Sequence, residues 1–306
     1  MFEATLPAMP RLLTALAEWM GCITVLMLME KRWTKKITAI LHLLFGIVIV
    51  LSQYCAHKAG TNETLGQQTR FYVWAVGMAA CMLIMLLYIM LCSRCTFSTA
   101  VGCWAVAFVT AELMASVEWQ VSSALLASRS MKNAGVILVM LCVFGGILLG
   151  VYVGEKKIYD GPVRMERMQS VLLWILALLA MVISNVGFQK MMWEDQADLR
   201  TTLSSIRSLV DFGALASMYL IQRVYWEHAM QMEMASVNYM LNLQYQQYRD
   251  YKMNSEYISR QCHDLKYQIE ALRSACTEDE REQYLSEMET AIQNYNAQNV
   301  TGNPEL

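Results

Sequence analysis

Seven long apolar windows follow one another along the first two thirds of the sequence, separated by short polar connections. A helix needs roughly 20 mostly apolar residues to cross a hydrocarbon core about 30 Å thick. Each window comes close to that length, so the pattern predicts seven membrane-spanning helices in a sensor domain over residues 1–222. The windows are 11–30, 37–56, 71–92, 98–118, 134–153, 169–188 and 206–222. The last is the weakest, because Arg207 and Asp211 fall within it.

From residue 223 onward, polar residues dominate while apolar residues recur at alternating spacings of three and four. A period of about 3.5 residues is the signature of a left-handed coiled-coil seam. Two polar residues interrupt the seam, which consists of Met230, Met234, Val237, Leu241, Gln244, Tyr248, Tyr251, Ser255, Ile258, Cys262, Leu265, Ile269 and Leu272. Thr277 and Glu280 then form a capping-box pattern, which predicts the start of another helix.

The expected fold is therefore all-α, a polytopic bundle of membrane helices with a helical cytoplasmic region. We expect a coiled-coil signalling helix over residues 223–257 and a helical hairpin over 258–298. Two such hairpins would pair into a dimeric four-helix bundle. The last residues, 299–306, contain Gly302 and Pro304 and are expected to form a linker.

Composition and charge narrow the class of protein and set its orientation. Hydrophobic residues make up 56% of the chain and charged residues only 16%, whereas soluble domains carry about a quarter charged. Lys and Arg are concentrated in the odd-numbered connections, around 31–36 and 156–167. The positive-inside rule then predicts an N-terminus outside and a C-terminus in the cytoplasm. The net charge of −2 argues against a nucleic-acid partner.

His263 and Asp264 stand side by side in the heptad helix, immediately after the seam residue Cys262. A residue that directly follows a seam position points outward along the flank of the bundle, where another domain can reach it. A neutral imidazole is a nucleophile at ordinary pH. Asp264 could fix the tautomer of the ring and stabilise the positive charge that develops as the other nitrogen attacks. The pair predicts a phosphoacceptor site, and a solvated surface histidine is the alternative.

Residues 223–303 resemble the dimerisation and phosphotransfer region of membrane sensor histidine kinases, in particular the peptide-pheromone receptors of Gram-positive quorum sensing. The likeness rests on the box His263-Asp264-Leu265-Lys266 and on the segment 301–303, which is similar to the junction with the GHKL-type ATPase lobe in that family. The resemblance implies a homodimer in a bacterial cell membrane, a small peptide or other membrane-accessible ligand, and a cytoplasmic response regulator that receives phosphate from His263.

The sequence departs from the family pattern in three places. Tyr267 stands where many pheromone receptors carry asparagine. Gln268 stands where another group of kinases carries a glutamine that orients water for dephosphorylation, so it is a phosphatase candidate, with an ordinary helical glutamine as the alternative. Residues 1–306 include no ATPase lobe, and we expect either a fragment of a longer kinase or a shortened receptor that uses a partner's lobe. ATP and Mg²⁺ are expected only through that lobe, and no cofactor in this chain.

Ionisable residues at membrane depth are the clues to sensing. They are Glu18, His42, Glu112, Glu118 and Asp211. Such groups are costly in hydrocarbon, so each is a functional candidate by default. We take Glu18, Glu112 and Asp211 as the candidate ligand-sensing residues, with helix packing as the alternative.

Two other classes of function stay open. A small-solute transporter would also use buried carboxylates such as Glu112, but it would show inverted repeats or broken helices, and it leaves the heptad region unexplained. A non-enzymatic receptor or scaffold would dimerise through the heptad region without phosphotransfer. In that case replacement of His263 would leave signalling untouched.

Overall fold

The computed structural model describes residues 11–60, 66–127, 133–159, 161, 163–186, 197–274 and 277–301. Within them the elements are helices, apart from one isolated antiparallel bridge between Lys31 and Ser93. The helices are α1 (Arg11–Met27), α2 (Lys35–Gly60), α3 (Gln67–Cys92), α4 (Phe97–Ala127), α5 (Asn133–Ile158), α6 (Arg167–Met181), α7 (Ala197–Ser274) and α8 (Glu278–Thr301). A π-helical turn, Val182–Val186, continues α6. The expected all-α fold is confirmed for the described residues.

Five of these helices are long and apolar enough to cross a membrane. They are Lys35–Lys58, Tyr72–Cys92, Phe97–Ser122, Ile137–Ile158 and Arg167–Ser184. A shorter apolar helix covers Leu12–Met27, and the window 206–222 lies inside α7, which is not among the five. Among the described residues, five of the seven expected spans therefore have the length and composition of membrane helices. The first and the seventh stay predictions.

Helix α4 is the most enclosed of the five. Its apolar window is 89% buried, whereas the other four are between 11% and 33% buried. Small side chains such as Ala107 and Ala111 let neighbouring backbones approach closely, as is common between membrane helices. Gly21 of α1 uses this space, because a Cβ at Gly21 would lie only 2.8 Å from the carbonyl oxygen of Ala107. The contact between α1 and α4 therefore depends on glycine.

The first, third and fifth connections meet at one end of this helical unit. The N–H of Arg94, in the third connection, donates to the carbonyl of Glu30 in the first, at 2.9 Å. The N–H of Met165, in the fifth connection, donates to Oγ1 of Thr99 at the start of α4, at 3.3 Å. When consecutive helices run in opposite directions, all odd-numbered connections lie at the same end of the bundle. The two hydrogen bonds agree with this arrangement.

The first part of α7 extends along the same unit. Near one end, Ser208 accepts a hydrogen bond from Gln120 in the last part of α4. Near the other, Gln222 hydrogen-bonds to Tyr159, which directly follows α5. Between them Met218 is fully buried. The window 206–222 therefore packs along the helices that carry the membrane-like windows.

The chain divides into two compact units, residues 1–229 and 230–306, close to the expected boundary after residue 222. In the second unit most of the described seam residues of α7 are exposed, for example Met234, Leu241 and Tyr251, whereas Leu265 is partly covered. Helix α8 begins directly after Thr277, where the capping pattern predicts a start. The coiled coil and the four-helix bundle involve a second copy and stay predictions.

Candidate functional site

His263 and Asp264 lie on α7, within the second unit, and both are open to solvent. Their side chains are 63% and 70% exposed. His263 Nδ1 and Asp264 Oδ1 are 3.7 Å apart. This distance is longer than a hydrogen bond, so the carboxylate acts on the ring through its charge alone in this geometry.

One face of α7 near this site is partly covered. Its residues are Gln261, Leu265, Gln268 and Ala271, which follow the three- and four-residue spacing of a single helix face. Successive helical residues are about 100° apart, so His263 lies about 200° around the helix from Gln261. The imidazole therefore points away from the partly covered face. Gln268 lies on that face, about 140° from His263, and the helix does not bring the two side chains together.

Tyr267 is the side chain that the helix places against His263. The two rings are in edge-to-face contact, with centroids 4.6 Å apart and an interplanar angle of 70°. The contact follows from the four-residue spacing, which puts the two residues on neighbouring turns. Tyr267 therefore contacts the imidazole, and the His263 side chain remains 63% exposed. The spacing was visible in the sequence, where Tyr267 registered only as a departure from the family pattern.

Glu18 is buried between three helices, with 1% of its surface exposed. Gln53 of α2 donates from Nε2 to Glu18 Oε1 at 2.8 Å, and Cys81 of α3 donates from Sγ to Oε2 at 2.9 Å. Both carboxylate oxygens are therefore engaged by neighbouring helices. The geometry favours a packing role for Glu18 over ligand contact.

Glu112 and Asp211, by contrast, are brought together by Arg207. The Arg207 guanidinium pairs with the Glu112 carboxylate, and Arg207 Nε lies 4.0 Å from Asp211 Oδ2. Glu112 belongs to α4, whereas Arg207 and Asp211 are one turn apart on α7. Two of the three candidate sensing residues thus form one cluster, which we call the carboxylate cluster. Arg207, the residue that weakened the seventh window in the sequence, holds the cluster together.

The remaining ionisable candidates are engaged locally. His42 Nδ1 makes a short hydrogen bond with the hydroxyl of Tyr88. Glu118 accepts a hydrogen bond from the hydroxyl of Ser122, one turn along α4. Both pairs are consistent with helix packing.

A second buried polar network, not foreseen from the sequence, joins α5, α6 and α7. Gln222 donates from Nε2 to Glu155 Oε1 at 2.8 Å and accepts from the hydroxyl of Tyr159 at 3.2 Å. Gln169 of α6 donates to the same hydroxyl at 3.1 Å. Burial, and then the charge of Glu155, raises the pKa of Tyr159, so its hydroxyl stays protonated and able to donate. We call these four residues the Gln222 network.

No protein-family model, curated protein or solved structure matches this chain. Within the described ranges, no group of three or more His, Cys, Asp and Glu side chains is placed to hold a metal ion.

Proposed function

We propose that the chain is a membrane sensor histidine kinase of a two-component system, in which His263 accepts a phosphoryl group. The observation that carries the proposal is the exposed His263–Asp264 pair on α7. The same helix, Ala197–Ser274, also contributes Gln222 and Arg207 to the buried networks of residues 1–229, which we call the membrane unit. A change in the packing of those networks would therefore act on the helix that bears the phosphoacceptor.

The chemistry that these residues support is nucleophilic phosphoryl transfer. One ring nitrogen of His263 attacks the γ-phosphorus of ATP, the bond from that phosphorus to the ADP oxygen breaks, and a phosphoimidazole forms. The proton on the other ring nitrogen makes the modified ring cationic. Asp264, whose Oδ1 lies 3.7 Å from Nδ1, would stabilise that charge. The phosphoryl group then passes to a carboxylate of the response regulator.

Homodimerisation is part of the proposal. Apolar side chains along the seam are exposed in the single chain, including Met230 at 41%, Val237 at 51% and Ile258 at 40%. A helix with such a seam buries it by pairing with a second copy. The helices of residues 1–229 would bind a small peptide or another membrane-accessible ligand. That ligand can shift signalling only by its differential affinity for two states of the receptor.

The test is a phosphorylation assay on the purified chain in lipid nanodiscs, with ATP, Mg²⁺ and a GHKL-type ATPase lobe supplied in trans. We expect phosphate that is lost in acid and retained in base, and that disappears in His263→Ala. His228→Ala is the matched control, because His228 is another exposed histidine on α7. Absence of label from the unmodified chain, with a lobe that phosphorylates another hairpin, would contradict the proposal and favour a non-enzymatic dimeric receptor.

A further inference from the structure

The carboxylate cluster holds more negative than positive charge. Glu112 of α4 and Asp211 of α7 share one guanidinium, that of Arg207. Their side chains are only 3% and 1% exposed. With both carboxylates ionised, the three described side chains carry a net charge of −1. A buried charge without compensation is strongly unfavourable, and more so at membrane depth.

Among the residues that the structure describes, the other contacts of Asp211 supply no positive charge. The hydroxyls of Ser116 and Ser184, both neutral, lie beside its carboxylate, and the Ser116 hydroxyl donates to the carbonyl of Leu113 at 3.1 Å. Asp211 Oδ2, however, is buried without a hydrogen-bond partner among the described residues. Its distance of 4.0 Å from Arg207 Nε is too long for a hydrogen bond. A buried acceptor and an excess negative charge therefore coincide at one oxygen atom.

Ser184 reaches this site from a distorted helix. It lies in the π-helical turn Val182–Val186 that continues α6, and its side chain is buried. π-helical turns are rare and recur at functional sites. The turn brings a third element to the cluster, so that Ser116 of α4 and Ser184 of the π-helical turn both place a hydroxyl oxygen beside the carboxylate of Asp211. Oxygen donors of this kind suit hard cations and ammonium groups.

We propose that the carboxylate cluster binds one monovalent cationic group, an alkali ion or the primary ammonium of a small ligand, with Asp211 Oδ2 as its acceptor. The proposal goes beyond phosphotransfer, because binding at this site does not require His263. Glu18 offers a contrast within the same unit. Both of its oxygens already accept hydrogen bonds, from Gln53 and Cys81, so it is the matched control.

The test measures thermal unfolding of the purified full chain in detergent micelles at constant pH and ionic strength. The reference salt contains N-methylglucammonium, a cation too bulky for the cluster. Sodium, potassium or n-butylammonium chloride then replaces it. At about 100 times the dissociation constant, we expect a bound cation to raise the midpoint by about 4–8 °C. A response to the alkali ions supports an ion site, and a response to butylammonium supports a ligand that carries an amine.

Variants assign the shift to the cluster. Asp211→Asn keeps the shape of the side chain and removes the excess charge, so it is expected to abolish the shift. Glu18→Gln is expected to keep it. Ser184→Ala leaves every charge in place and removes one oxygen, so it should weaken direct binding of radiolabelled sodium or butylamine about tenfold. The binding measurement on Ser184→Ala therefore tests the cation site even if Asp211→Asn fails to fold.

Three results would overturn the proposal. The first is a midpoint of thermal unfolding that does not change with any of the cations. The second is a cation-dependent change that persists in Asp211→Asn. The third is a midpoint that changes with pH alone. The last result would mean that a proton neutralises Asp211 beside Glu112 and Arg207, the charged groups that face it from α4 and α7. None of these results depends on the phosphorylation of His263, so the two proposals fail independently.

Discussion

Gln222→Leu is expected to loosen the contact of α7 with α5 and α6. The Gln222 side chain is fully buried, donates to Glu155 at 2.8 Å and accepts from Tyr159 at 3.2 Å. Leucine has a similar volume but forms neither hydrogen bond. The substitution therefore leaves an acceptor on Glu155 and a donor on Tyr159 without their partner, at little cost in packing.

The size of the effect follows from these two bonds. A buried polar group that loses its partner costs about 1–3 kcal/mol. Hydrogen bonds between membrane helices are weaker on average, about 0.6 kcal/mol and at most about 1.7 kcal/mol. The hydroxyl of Tyr159 still accepts a hydrogen bond from Gln169 at 3.1 Å. Loss of the bond to Gln222 therefore costs less free energy at Tyr159 than at Glu155. We expect the free energy of unfolding to fall by about 2 kcal/mol, within a range of about 1–3 kcal/mol.

The assay is reversible unfolding in mixed micelles, followed by circular dichroism. Gln246→Leu is the matched control, because Gln246 is exposed on α7 and lies off the seam, and its effect should stay within about 0.5 kcal/mol. Glu155→Gln keeps an acceptor for Gln222 and should cost less than Gln222→Leu. Equal free energies of unfolding for Gln222→Leu and Gln246→Leu would show that the two buried hydrogen bonds of Gln222 do not stabilise the fold.

Two further predictions concern other parts of the chain. Gly46→Ala should destabilise the membrane unit by about 1–3 kcal/mol, because a Cβ there would lie 2.9 Å from Cε2 of Trp19. Gly145→Ala, with open space around the new methyl group, is its control, and equal midpoints in thermal unfolding would contradict the clash. Asp264→Asn should slow phosphorylation of His263 by about 10²-fold or more in a single-turnover assay, because the carboxylate charge is removed. An unchanged rate would show that the aspartate has no part in the chemistry.

The helical character of the chain could be predicted because it depends on local patterns. Runs of apolar residues indicate membrane helices, and the break at residue 223 marks the change to a polar helix. The start of α8 after Thr277 could be predicted from the capping-box pattern, which involves only four neighbouring residues. The contact of His263 with Tyr267 also follows from helical spacing.

Contacts between distant residues could not be predicted in this way. Arg207 counted against a span in the sequence, yet its charge is matched by Glu112, 95 residues earlier in the chain. In the sequence, Glu18 and Glu112 are both carboxylates at membrane depth and cannot be told apart. In the structure their neighbours differ, because Glu18 accepts two hydrogen bonds whereas Glu112 shares the guanidinium of Arg207 with Asp211. Gln222 gave no local signal, because its partners lie on other helices. The roles of these residues depend on which helices pack together, and a single sequence does not show that.

The proposed function depends on transfer of a phosphoryl group to His263. The most direct measurement is mass spectrometry under neutral conditions on the chain after incubation with ATP, Mg²⁺ and an ATPase lobe, with the modified residue located by fragmentation. We predict one phosphate on His263 and none on His228, the exposed histidine elsewhere on α7. Phosphate on another residue, or an unmodified His263 beside an active lobe, would contradict the account.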